Sequence, residues 1–206
     1  VREVLVAPGN TGTAGAPRMR NVAGSALQAA IDERPDLVVV GPEAPLVAGV
    51  VDALNEAGIA AFGPGREAAR LEGSKAFAKQ AMEEAGVPTA GYSVVRDREA
   101  ALEAVASSSF PVVLKADGLA AGKGVLICLT EEEARAAVEI FFTEQRFGET
   151  EVVVEEFLDG EELSLLAICD GERAIPLSPA QDYKRIGDGD TGLNTGGMGS
   201  YSPVPS

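Results

Sequence analysis

The sequence predicts a doubly wound parallel α/β unit followed by an α+β module, and three features of the chain carry that prediction. Residues 1–65 alternate short apolar runs with helical patterns: VREVLVA, SALQAAIDERP, LVVV, LVAGVVDALNEAG and IAAF read as strand, helix, strand, helix, strand. Continuous β-rich apolar runs are what a parallel sheet covered on both faces selects. After about residue 90 the pattern changes, and EVVVEEFL, EELSLLAIC and ERAIPLS read as antiparallel strands, the last two joined by a hairpin turn at Asp170-Gly171. Between the two parts, GPGREAARLEGSKAFAKQAMEEAG has an N-cap signal at Ser74 and a stop at Gly86 ahead of Pro88, so it reads as a linking helix. The expected organisation is 1–65, a linker over 66–90, and 91–206.

The remaining elements follow in order. YSVV is a strand, a helix runs from about Asp97 to Ala106, and PVVLKA and VLICL are strands separated by a Gly-rich loop. Thr130 opens a helix with Glu133 in capping-box spacing. From Gln181 onward Gly, Asp, Asn and Thr dominate without periodicity, which reads as one long loop, and long loops in compact domains are often functional.

Composition excludes several function classes. A chain of 206 residues buries roughly 70% of its unfolded surface without staples, and no apolar run approaches the roughly 18 residues of a membrane span. The formal net charge of −15 repels a phosphate backbone, which disfavours nucleic acid as a partner. The sequence has no histidine, so His-dependent triads, imidazole metal sites and His acid/base chemistry are excluded. Chemistry must come from carboxylates, Lys and Arg, backbone amides or a bound ion. Cys128 and Cys169 both lie in apolar runs, so buried reduced thiols and a cytoplasmic location are expected.

Three segments could carry chemistry. In LKADGLAAGKGV, Lys115 ends a strand and Gly118, Gly122, Lys123 and Gly124 follow. Small residues let amides approach phosphate oxygens and lysine adds a point charge, so a nucleotide phosphate is the natural ligand. Three residues separate the glycines and Gly124 follows the lysine, so the Walker A pattern fails and a plain hairpin is the alternative. In EEFLDGEELS the dense acids read alone as a solvated face, but next to a phosphate loop Glu155 to Leu158 can offer its backbone to an adenine edge and a following carboxylate can accept from ribose. In QDYKRIGDGDTGLNTGGMGSY, Lys184 and Arg185 can neutralise a transferring phosphoryl group, and Asp182, Asp188 and Asp190 can bind an ammonium or a hydrated cation. Upstream, PGN at Pro8 to Asn10 and GPEAPL at Gly41 to Leu46 follow strands, where open α/β sheets bind ligands, or are only tight turns.

SKAFAK, VVLKADGLAAGKGV, EEFLDGEELS and QDYKRIGDGDTGLNTGGMGSYSP, with PGN and GPEAPL, resemble the phosphoribosylamine–glycine ligases (glycinamide ribonucleotide synthetases), ATP-grasp enzymes of purine biosynthesis, over essentially the whole chain. The resemblance implies a pre-ATP-grasp α/β domain followed by an ATP-grasp module. It implies a ligase that uses ATP to activate glycine as a glycyl phosphate, which 5-phosphoribosylamine attacks, in a monomer or weak homodimer without nucleic-acid or membrane partners. Another ATP-grasp carboxylate–amine ligase and a non-catalytic nucleotide-binding fragment are the alternatives. Phosphoryl transfer of this kind needs positioning and charge neutralisation rather than a protein nucleophile, which suits a chain without histidine.

By the same resemblance Lys75 and Lys115 would contact ATP phosphates, with Lys115 also near adenine, and Gly118, Gly122, Lys123 and Gly124 would lie over the phosphates. Glu155, Glu156, Phe157 and Leu158 would hold adenine, Glu162 the ribose, and Lys184 and Arg185 the γ-phosphate. Asn10, Glu43, Asp190, Asn194, Thr195, Gly196, Gly197 and Met198 would face glycine and phosphoribosylamine. Family members also carry an earlier strand with a Gly-rich turn and an Arg-Glu-His element, and a later Glu and Asn that ligate Mg²⁺ or Mn²⁺. Those elements are expected before Val1 and beyond Ser206, so the 206-residue chain alone is expected not to turn over.

Overall fold

The computed structural model describes residues 1–119, 124–189 and 191–205. The N-terminal part runs β1 (Val4–Val6), α1 (Thr11–Ala14), β2 (Met19–Asn21), α2 (Ala26–Glu33), β3 (Val38–Val39), α3 (Glu43–Val47), α4 (Val50–Glu56) and β4 (Ala61–Phe62). Its strands are parallel, as expected, and form two pairs, β1 with β2 and β3 with β4. β2 is an addition to the expectation. Met19-Arg20-Asn21 has no apolar alternation and is a strand because its backbone pairs with β1. Ser25 caps α2 by accepting from the Gln28 amide, and Ala30, Leu54 and Ile59 form a small core between α2 and α4.

The stretch LVAGVVDALNEAG, read as one helix, breaks at Gly49. That residue has φ of 88°, and a Cβ there would lie 2.6 Å from Arg66 Nε. The left-handed backbone favours glycine, a side chain there would displace the Arg66 guanidinium, and a left-handed residue cannot continue a right-handed helix. The next segment forms α5 (Arg66–Gly73) and α6 (Lys75–Glu84). Ser74 ends the first by donating its amide to the Arg70 carbonyl (2.9 Å) and caps the second by accepting from the Phe77 amide (3.1 Å).

The second part follows the sequence pattern closely: β5 (Tyr92–Val95), α7 (Arg98–Ala106), β6 (Val112–Ala116), β7 (Val125–Cys128), α8 (Glu131–Phe142) and β8 (Val152–Glu156). The four strands form one antiparallel sheet in the order β5-β8-β6-β7. Asp97 caps α7 and Thr130 caps α8, while the Glu133 carboxylate accepts from the Leu129 amide, one residue upstream of the expected capping-box partner. Alternate residues of the strands face the two helices: Val112, Leu114 and Ala116, with Val152 and Val154, pack on Ala101, Val105, Ala134, Val138 and Phe141. The opposite face is left for the site.

The chain then forms the expected hairpin, β9 (Ala167–Cys169) with β10 (Ala174–Pro176). The region from Gln181, read as a loop, contains β11 (Gln181–Asp182), β12 (Arg185–Gly187), β13 (Thr191–Asn194) and β14 (Ser200–Tyr201), paired β11 with β14 and β12 with β13. Strands of two to four residues rich in Gly and Asp hold by backbone pairing, so no side-chain period announces them. Among the described residues, no helix is long and apolar enough to cross a membrane.

The cysteine expectation needs a correction. Cys128 is buried on β7, but Cys169 is exposed, because the β9–β10 hairpin presents Ile168, Cys169 and Ile175 outward. Burial pushes the Cys128 thiol up to about 11, so little thiolate forms at pH 8. A thiol reagent at pH 8 is expected to modify one cysteine, Cys169, in the folded protein and both in denaturant; rapid native labelling of Cys128 would contradict this placement.

Candidate functional site

The sheet face turned away from α7 and α8 carries Val113 and Lys115 on β6 and Val153 and Glu155 on β8. Lys115 lies opposite Val153 and Val113 opposite Glu155, which makes Lys115 and Glu155 diagonal neighbours. The Lys115 ammonium pairs with Glu155 Oε1. From α6, Lys79 Nζ comes within 2.8 Å of Glu155 Oε2 and donates to Thr89 Oγ1 (2.8 Å) and the Ala90 carbonyl (3.2 Å). Oε2 has this charge partner but accepts no well-directed hydrogen bond among the described residues. Lys79 and Glu155 are 8% and 6% exposed, so the pair is largely dry and depends on mutual neutralisation.

A second cluster ties the end of β6 to the start of α6. Asp117 accepts from Ser74 Oγ (2.9 Å) and from the Ala76 amide (3.1 Å), capping α6 from another element. Its own amide and carbonyl are held by the Glu151 carbonyl (2.8 Å) and Thr150 Oγ1 (3.1 Å). Lys75 Nζ donates to the carbonyls of Ala116 (2.9 Å) and Gly118 (2.8 Å). Gly118 has φ of 87°, the left-handed turn that takes the chain out of β6 into the Gly-rich segment. Burial pushes the Lys75 ammonium below the ordinary lysine range, against the attraction of Asp117, which raises it.

These groups meet in a cleft of about 640 Å³, the size of a small-molecule site. Lys75, Lys79, Lys115, Glu155, Gly118 and Gly124 line it on the sheet side. Glu43 on α3 and Glu72 on α5 close it from the N-terminal part. Expected site residues Lys75, Lys115, Gly118, Gly124, Glu155 and Glu43 are thus brought together.

Others lie elsewhere. Glu156 alternates to the other side of β8, where its carboxylate accepts from the Gly91 amide (3.3 Å). Phe157 and Leu158 continue past the strand end, Leu158 largely exposed, and the exposed Glu162 accepts from Gln181 Nε2 through its carbonyl (2.9 Å). Lys184 pairs with Asp182 at 2.8 Å, which holds its ammonium above the usual range, while its carbonyl accepts from the amide and hydroxyl of Thr195 (2.7 and 2.9 Å). Arg185 begins β12 opposite Asn194. Gly196 and Gly197 form the turn after Thr195, with the Gly197 amide donating to Thr195 Oγ1 (3.0 Å), and Met198 donates its amide to Tyr183 (2.7 Å). Asn10 caps α1 by accepting from the amides of Gly12 (2.8 Å) and Thr13 (3.0 Å), apart from the cleft. The contacts expected at Gly122, Lys123 and Asp190, and the side chain of Asn194, fall outside the described residues.

Lys79 in the cleft and Asp117 beside it escaped the sequence reading. Lys79 follows Lys75 by four residues on one helix face, a spacing that would have paired them. Asp117 follows the strand lysine by two residues, and its capping of α6 from a distance leaves no local signature.

Comparison with known proteins places this geometry. Residues 1–72 match the family described as phosphoribosylglycinamide synthetase, N domain, and residues 73–206 match phosphoribosylglycinamide synthetase, ATP-grasp (A) domain. Phosphoribosylamine–glycine ligase from Xanthomonas axonopodis pv. citri is 54% identical over 213 aligned positions, covering 100% of this chain and 49% of that protein. The chain spans about half the length of the curated relatives it matches. The crystal structure of phosphoribosylamine–glycine ligase from Thermotoga maritima superposes with a TM-score of 0.85 at 39% identity, covering 99% of this chain and 50% of that one. A biotin carboxylase domain of 2-oxoglutarate carboxylase from Hydrogenobacter thermophilus, solved with MgADP and bicarbonate, gives 0.66 at 25% identity over 77% of this chain and 37% of its own. The expected class, an α/β N-terminal domain followed by an ATP-grasp module, is the observed one.

Proposed function

Because the chain belongs to the phosphoribosylglycinamide synthetase family, we propose that its gene product is an ATP-dependent carbon–nitrogen ligase. It joins glycine to 5-phosphoribosylamine, giving glycinamide ribonucleotide, ADP and phosphate. The observation that carries this reading is the convergence of Lys75 and Lys115 on one cleft beside the Gly-rich segment, in a chain whose net charge is −15. Clustered ammonium groups in an otherwise acidic protein suit a polyanionic ligand such as a nucleoside triphosphate.

In this reading Lys75 and Lys115 bind phosphate oxygens, with Lys115 also near adenine, and the segment Gly118 to Gly124, including Gly122 and Lys123, lies along the phosphates. The backbone of Glu155, Glu156, Phe157 and Leu158 meets the adenine edge, and Glu162 takes the ribose hydroxyls. Lys184 and Arg185 neutralise the γ-phosphate. Asn10, Glu43, Asp190 and the segment Asn194 to Met198 orient glycine and phosphoribosylamine.

The nucleotide supplies the phosphoryl group that turns the glycine carboxylate into a glycyl phosphate and leaves ADP; the amine of phosphoribosylamine then attacks the glycyl carbonyl, forming the amide bond and expelling phosphate. Each assigned residue acts by position or charge, which suits a chain without histidine. Among the described residues no three carboxylates or thiols converge as a metal site. We assign Mg²⁺ or Mn²⁺ to the nucleotide phosphates, the usual mode for such ions. Two free cysteines suit work in a reducing cytoplasm.

The test is ADP release from ATP and Mg²⁺ by the gene product, with phosphoribosylamine and a panel of amino acids. Glycine is expected to be the only efficient acid. Equal rates with D-alanine or another acid would replace this reading by that of a different ATP-grasp ligase.

A further inference from the structure

Lys79 is the one lysine of the cleft that the functional reading leaves without a task. It is also the most constrained. Its three ammonium hydrogens face three oxygens, Thr89 Oγ1 at 2.8 Å, the Ala90 carbonyl at 3.2 Å and Glu155 Oε2 at 2.8 Å, and the Tyr92 ring lies 5.5 Å away. An ammonium so enclosed on a single helix face does not reach out to a ligand. Glu155, in turn, has one oxygen on Lys79 and the other on Lys115. Lys115 is 29% exposed at its side chain and opens to the cleft, whereas the Lys79 side chain is 10% exposed.

We propose that Lys79 is a positioning residue for the nucleotide site: by neutralising and fixing Glu155, it leaves Lys115 oriented by that carboxylate yet available to an anion. This rests on the reading of the cleft as the ATP site. Two lysines around one glutamate leave a local surplus of one positive charge. With Lys79 gone, Glu155 would be a buried carboxylate with Lys115 as its remaining lysine partner. It would then hold Lys115 more tightly and compete with phosphate for it. A residue that only propped α6 against β8 would have no such selective effect on an anion.

The experiment is calorimetric titration of the gene product with Mg–ATP. Lys79→Gln keeps hydrogen-bonding capacity toward Thr89 and Ala90 while removing the charge, and Lys79→Met removes both, so Lys79→Gln decides if the methionine variant does not fold. Losing the counter-charge is expected to weaken Mg–ATP binding roughly tenfold, the size of one charge-assisted contact. Lys79→Arg should recover affinity to within about threefold. In a Glu155→Gln background, where no carboxylate competes for Lys115, Lys79→Gln should change affinity by less than about twofold.

Wild-type affinity in Lys79→Gln would overturn the proposal, and so would the same tenfold loss in the Glu155→Gln background. Lys115→Ala is the control on the underlying reading. If it leaves Mg–ATP affinity unchanged, the cleft is not the nucleotide site and the proposal falls with it; if it weakens binding while Lys79→Gln does not, only the role of Lys79 falls.

Discussion

Lys115→Ala is expected to lower kcat/KM for ATP roughly 100-fold, the usual consequence of removing one charged donor from a preorganised phosphoryl site. The fold should survive. Lys115 lies on the open face of β6, and after its removal Glu155 keeps Lys79 at 2.8 Å. The stability loss is expected to be about 1 kcal/mol, because the Lys115 side chain is partly solvated. Steady-state kinetics with a parallel thermal melt checks both halves, and a kcat/KM within threefold of wild type would remove Lys115 from the site.

One residue earlier the expectation reverses. Leu114 is fully buried on the helix-facing side of the same strand, packed with Val112, Val152, Val154 and the α7 and α8 residues. Leu114→Ala removes those contacts and leaves a cavity, at a cost of about 3 kcal/mol. Chemical denaturation should show the loss, while the affinity of the folded fraction for ATP stays near wild type. A loss below 1 kcal/mol would mean that this sheet face is not the core. The alternation of β6 thus gives adjacent residues different places, Leu114 in the core and Lys115 on the open face that we propose meets the nucleotide.

The strands themselves were legible in the sequence, though not which face of β6 is core. PVVLKA and EVVVEEFL announce strands, Thr130 caps α8 as expected, α7 begins one residue after the expected Asp97, which caps it, and Lys115 falls near the strand end. What escaped depends on tertiary contact. The break at Gly49 follows from its left-handed backbone and from the Arg66 guanidinium beside it, neither visible in a periodic apolar pattern. β2 and β11 to β14 are short ladders held by backbone pairing. Cys169 sits in an apolar run, yet its hairpin faces outward. At the site, Lys115 was legible from its glycine-rich neighbourhood, while Lys79 gains a task only when Glu155, 76 positions later, folds against it.

Asp117 links α6 to β6 in the same way. By capping α6 it brings Lys75 over the turn out of β6, where Lys75 holds the carbonyls of Ala116 at the strand end and Gly118 in the turn. The cleft is therefore assembled by the fold, with α6 and β6 locked together through a helix cap rather than through apolar packing alone. Glu43 reaches it from α3, so the N-terminal part contributes a wall. This arrangement suits a site that holds a nucleotide on the sheet side and a second substrate from the other.

The measurement that tests the central claim most directly is the ADP release described above, followed in the gene product with glycine and phosphoribosylamine omitted one at a time. The account predicts ADP only when both are present, and loss of that signal in Lys115→Ala. ATP binding without any glycine-dependent ADP would contradict it and leave the cleft as a nucleotide-binding site without ligase chemistry.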